Sequence, residues 1–137
     1  MNVFDAIAPS LADFDALVDR ALGEIPATFR EKFEGVAIRV EDLPDDETVR
    51  EMGLDSPYEL TGLYSGTSLL DKSVHDPGGH PDMVFLYRLP ILLEWCETGR
   101  PLGDVVREVL VHEIGHHFGH SDEGMDEIEP EDDPEAD

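Results

Sequence analysis

Three residues near the C-terminal end have the types and spacing of a metal centre. They are His112, Glu113 and His116, within Val111-His-Glu-Ile-Gly-His-His-Phe-Gly-His-Ser-Asp122. On an α-helix, positions four apart differ by about 40° in azimuth. Both imidazoles therefore leave the helix on one side, one turn apart, within reach of a single ion. Glu113 lies about 100° round from His112, beside such an ion rather than aimed at it. That is the place for a base that takes a proton from a water activated by the metal.

Two imidazoles do not complete a catalytic zinc site, which takes three protein ligands and keeps one position open. Gly119 can turn the chain back through the left-handed region. Asp122 then falls six residues after His116, so the string reads H-E-x-x-H-x-x-G-x-x-D. The carboxylate takes the place that a third His occupies in metzincins. Asp is a fitting ligand at about 2.0–2.2 Å, and its charge would leave an activated water somewhat less acidic than three imidazoles would. Shuffling this composition gives H-E-x-x-H about 3% of the time, and the longer string roughly 3 times in 10,000, so coincidence is the weaker explanation. His120 competes with Asp122 as third ligand. It follows Gly119 directly, which leaves little chain to fold back, so Asp122 is preferred. His117 is expected on the helix flank, in a supporting or surface role. His75 and His80 flank a Gly-rich loop, where surface exposure is the default.

A helix has to present these groups, and the sequence supplies one. Val105, Val109, His112 and His116 form a single stripe that begins as valine and ends as imidazole. Val106, Leu110, Val111 and Ile114 spread apolar character round much of the circumference, so the helix, opened by Pro101 and closed by Gly119, should be largely buried. A polar pocket is then expected at its C-terminal end. Upstream, Ser10 can cap a helix whose face is Leu11, Phe14, Leu17, Val18, Ala21 and Leu22, with Gly23 as its stop. Pro26 opens a second helix that runs to near Gly35. Residues 36–40 alternate, predicting a strand with Val36, Ile38 and Val40 inward. Residues 46–52 allow a short helix, residues 60–66 a strand entering a turn, and residues 76–81 a loop. The apolar run 83–87 suits a strand covered on both faces. Pro90 then opens a helix through Leu92, Leu93 and Trp95, ended by Gly99. The mixture is α+β.

Composition narrows the function. Nine Lys and Arg against 33 Asp and Glu give the 137 residues a formal charge of −24. Phosphate backbones and anionic lipid repel such a chain, so neither nucleic acid nor a membrane is expected as a partner. One Cys cannot form an intramolecular disulfide, no apolar run approaches a membrane span, and the start shows no basic leader region. A cytoplasmic single domain is expected. Between 121 and 137, ten residues are acidic and none is basic. Residues 129–137 are expected to be a solvated, disordered tail after a domain spanning 1–128.

The stretch Val106-Arg-Glu-Val-Leu-Val-His-Glu-Ile-Gly-His-His-Phe-Gly-His-Ser-Asp-Glu-Gly-Met resembles the signature of small bacterial zincin-like metallopeptidase domains. Gly62-Leu-Tyr-Ser-Gly and Val84-Phe-Leu-Tyr-Arg-Leu-Pro-Ile are similar to the same family, and the likeness covers roughly residues 10–128. It implies a minimal zincin-like fold, with a small mixed β-sheet packed on a backing helix and an active-site helix. It implies Zn2+ on His112, His116 and Asp122, with Glu113 as the catalytic residue. His120 stands where such families would carry an apolar residue. Met125 comes only three residues after Asp122, closer than the methionine of a metzincin turn. No Tyr, His or Arg follows Asp122, so support for an oxyanion must come from upstream, with Tyr64, Tyr87, His75 and His80 as candidates.

The implied activity is peptide-bond hydrolysis of a peptide or protein substrate, in an oligomeric state the sequence does not specify. A catalytically silent metal- or peptide-binding module is the alternative. The spacing of 112, 116 and 122 also resembles the three-ligand pattern of a bacterial ribosomal-RNA maturation factor, H-x3-H-x5-H. The acidic charge and the presence of Glu113 count against a ribonuclease.

Overall fold

In the computed structural model, residues 2–31, 34–66 and 82–117 are described. His75, His80, Gly119, His120, Asp122, Met125, the 76–81 loop and the acidic tail lie outside them.

Helix α1 spans Leu11–Glu24 and begins as its sequence dictates. The Ser10 hydroxyl accepts the Asp13 N–H at 3.1 Å, and the Asp13 carboxylate accepts the Ser10 N–H at 2.8 Å. This reciprocal box satisfies two of the donors that a helix N-terminus leaves unpaired. Phe14, Val18 and Ala21 form the buried face. The helix does not stop at Gly23 as expected. Glycine is tolerated there, and the chain leaves the helix at Ile25, which is extended at φ −77°, ψ 136° because Pro26 disfavours helical geometry in the residue before it. Helix α2 is shorter than the sequence suggests, covering Ala27–Arg30.

Strand β1 is Ala37–Glu41, helix α3 Asp46–Glu51, strand β2 Gly62–Ser65 and strand β3 Met83–Tyr87. Helix α4, Arg88–Thr98, starts two residues before Pro90. A proline in the first turn costs nothing there, since that N–H has no intrahelical acceptor. Gly99, at φ 70°, closes α4 by donating its N–H to Trp95 O at 3.0 Å. Helix α5 spans Leu102–His117.

Among the described residues the sheet has three strands in the order β1-β3-β2. Central β3 runs parallel to β1, with Ala37 opposite Met83 and Glu41 opposite Tyr87. It runs antiparallel to β2, with Gly62 opposite Leu86 and Ser65 opposite Met83. Helices α1 and α5 pack against each other, α1 also against β1, and α5 also against β2 and β3. The core between these layers contains Phe14, Val18, Val84, Leu86, Ile91, Val105, Val106, Val109, Leu110 and Ile114. Val84 and Leu86 are fully buried, whereas Met83 and Phe85 are half-covered, so β3 is not equally covered on its two faces as expected. The architecture is α+β, with a small mixed sheet, a backing helix (α1) and the histidine-bearing helix (α5). Arg88 ties the N-terminal segment to it, donating from Nε to Pro9 O at 2.6 Å and pairing with Asp42 at 3.1 Å. No described helix is long and apolar enough to cross a membrane.

Candidate metal centre

The stripe on α5 behaves as its spacing predicts. Val105 and Val109 are buried, and one turn later His112 and His116 are half-buried at the edge of the core. The two rings lie edge to face, with centroids 4.9 Å apart. Glu113 is buried at 9% exposure, an uncommon state for a carboxylate. One potential ligand atom from each of His112, Glu113 and His116 lies within 4.8 Å of the other two. The two imidazole nitrogens are donors that suit zinc, and the Glu113 carboxylate lies beside them.

Backbone parity explains how Glu113 comes to face a strand. Residues directly opposite each other share a face of the sheet, so Gly62 and Tyr64 share the α5 side with Leu86 and Val84. At Gly62 the helix comes very close. A Cβ there would stand 2.7 Å from Val109 Cγ1, 3.1 Å from Glu113 Cγ and 3.2 Å from Phe85 O. The missing side chain is what lets Val109 and Glu113 lie directly against β2.

A cleft of about 430 Å³ opens beside this contact, lined by Met52, Leu60, Gly62, Leu63, Tyr64, Gly66, Glu113 and His116. Glu113 is the only carboxylate among the described residues of that lining. Strand β2, with a single neighbour among the described residues, runs along the cleft. A cleft is therefore present at the end of the buried helix, but among the described residues of its lining only Tyr64, Glu113 and His116 are polar, the rest being apolar or glycine.

The two tyrosines suggested as oxyanion supports have different surroundings. Tyr64 lines the cleft; burial first, and then the charge of the Asp82 carboxylate, push its pKa to about 12. Tyr87 is buried at 3% exposure and lies outside the cleft lining. Burial raises its pKa to about 12, helped by the carboxylates of Glu41, Asp45 and Glu113. Both stay protonated at any physiological pH.

Of the residues singled out in the sequence, His112, Glu113, His116 and Tyr64 come together. Asp122 and its competitor His120 fall beyond the last described residue, and His75 and His80 fall between residues 66 and 82, outside the described residues. Sequence reasoning missed Gly62, Met52, Leu60, Leu63 and Asp82. Only Gly62 left a signal, since a glycine inside a strand pattern marks a bulge or a close approach of another backbone.

A family model described as zincin-like metallopeptidase matches residues 33–132, which include β1, the whole cleft lining and all of α5. No curated protein matches the chain.

Proposed function

The chain belongs to the zincin-like metallopeptidase family, and on that premise we propose that it hydrolyses peptide bonds, with zinc held by His112, His116 and Asp122 and with Glu113 as general base. The observation that carries this reading is the convergence of ligand atoms of His112, Glu113 and His116 within 4.8 Å, with Glu113 and His116 lining a cleft. Zinc, when bound, supplies Lewis-acid polarisation of a water and of the scissile carbonyl.

The chain's own groups do the rest. A Glu113 carboxylate oxygen accepts the proton of the attacking water and then passes it to the leaving amine nitrogen. Burial of Glu113 beneath β2 keeps that oxygen in a fixed place and limits competing water. The edge of β2 that has no neighbour among the described residues suits an extended peptide, which adds to a sheet edge through main-chain hydrogen bonds. Met52, Leu60 and Leu63 give the cleft an apolar wall for substrate side chains. The charge of −24 favours approach of neutral or basic peptides through steering.

The test compares the zinc-loaded protein with Glu113→Gln in a broad peptide-library digest read by mass spectrometry. The substitution keeps the side-chain volume and should keep zinc, yet abolish cleavage. Equal cleavage by both proteins removes Glu113 from the mechanism. No cleavage by either would leave a metal- or peptide-binding module.

A further inference from the structure

The residue before β3, Asp82, lies beside Gly66, which lines the cleft. Asp82 is buried at 6% exposure, an unusual burial for a carboxylate. It makes three contacts with different parts of the sheet. Its backbone carbonyl accepts the Ala37 N–H at 3.0 Å, at the start of β1. Its carboxylate charge acts on the hydroxyl of Tyr64, the third residue of β2 and part of the cleft wall. It also occupies the space beside Gly66, where a Cβ would land on Asp82 Oδ1. Gly66 sits at φ 149°, a conformation that residues with a side chain rarely adopt. One buried carboxylate thus joins the chain just past β2 to the entrance of β3, while its backbone is anchored on β1.

Strand β2 needs such an anchor. It has four residues, one neighbour among the described residues, and a glycine at its first position. A short edge strand of this kind is weakly held. A ligand that adds to it binds only the ordered fraction, so apparent affinity falls in proportion to any loss of order. A Tyr64 hydroxyl held by Asp82 would fix the ring that forms part of the cleft wall.

We propose that Asp82 is a positioning residue, which clasps Tyr64 and Gly66 and so preorganises the β2 edge for an extended peptide. The inference rests on the peptidase reading for its kinetic consequence, but the clasp itself can be tested without turnover.

The experiment uses the full zinc-loaded chain with Tyr64→Phe, Asp82→Ala and Asp82→Asn. Tyr64→Phe keeps the ring and removes the hydroxyl that would donate to Asp82, and Asp82→Asn keeps an acceptor oxygen. With a peptide recovered from the library digest, Tyr64→Phe and Asp82→Ala should raise KM about 3- to 10-fold, the equivalent of one lost hydrogen bond. They should change kcat less than about 2-fold and leave zinc content unchanged. Asp82→Asn should recover most of the wild-type KM. Lower thermal stability with KM unchanged would overturn the proposal, as would a fall in kcat at constant KM. The second arm is amide hydrogen exchange of the zinc-loaded protein without peptide. Tyr64→Phe should speed exchange in β2 and leave the α1 core unchanged, and unaltered β2 exchange refutes the clasp. If the wild-type protein cleaves nothing, the peptidase reading fails and the exchange arm still decides on Asp82. If Asp82→Ala does not fold, Tyr64→Phe carries both arms.

Discussion

Gly62→Ala tests the close approach between β2 and α5. A methyl at position 62 would stand 2.7 Å from Val109 Cγ1 and 3.1 Å from Glu113 Cγ. Carbon pairs rest at about 3.5–4.0 Å, so the first contact is short by about 1 Å and the second by about half as much. Replacing glycine by alanine where the backbone allows it should stabilise by about 0.4–1 kcal/mol, because the unfolded chain loses freedom. Overpacking a well-filled contact costs about 1–3 kcal/mol, so overpacking should win. Val109 is 7% exposed and sits on a buried helix, which leaves it little room to turn away. The variant should therefore lose roughly 1–2 kcal/mol in urea unfolding at fixed zinc. The helix shift that relieves the clash also moves Glu113, and a displacement of about 1 Å can cost on the order of 100-fold in rate. Val109→Ala alone should destabilise by leaving a small cavity. In the double variant the new methyl occupies part of that cavity, so its cost should be below the sum of the two single costs by about 1 kcal/mol or more. Additive costs within about 0.5 kcal/mol, or a Gly62→Ala protein as stable and active as wild type, would refute the reasoning.

Arg88→Ala removes the donors to Pro9 O and Asp42 from a side chain that is only 17% exposed. Chemical denaturation should show a loss of about 1–3 kcal/mol, and a change below about 0.5 kcal/mol would mean that the N-terminal segment is not anchored there. The Glu94 carboxyl is raised above its ordinary range by burial, then by Glu108, with Arg100 pulling the other way. A carboxyl raised on folding penalises the native state once it ionises. Glu94→Gln should therefore raise the melting temperature at pH 7, and the gain should shrink to nothing as pH falls below the ordinary carboxylate range. A gain that grows on acidification contradicts that sign. Saturating zinc at about 1,000 times its dissociation constant should stabilise metal-free protein by about 4 kcal/mol, seen as a rise in melting temperature that a chelator reverses.

Much of the site could be read from α5 because a helix encodes its own geometry. The spacing of Val105, Val109, His112 and His116 fixes one face whatever the helix packs against, and that face was found. Ser10 and Gly99 were equally legible, since capping depends on a few neighbouring residues. Gly23 and Pro90 misled for a shared reason. Each is a boundary signal that a helix tolerates near its end, and Ile25 before Pro26 and Tyr87 before Arg88 set the true limits. The partners of the site were harder to see. That β3 lies between β1 and β2, and that Gly62 meets Val109 and Glu113, depend on strand pairing between segments far apart in the chain. Asp82 left no trace at all, because a single Asp before an apolar run is an ordinary strand boundary until Tyr64 is brought to it.

The most direct test of the account is a zinc titration of metal-free protein, read as equivalents bound per chain. Wild type and Glu113→Gln should each take up one equivalent with similar affinity. His112→Ala and His116→Ala should lose that tight site while remaining folded by circular dichroism, and Asp122→Ala should weaken it. A folded His112→Ala/His116→Ala double variant that still binds one zinc with wild-type affinity would contradict the account at its centre.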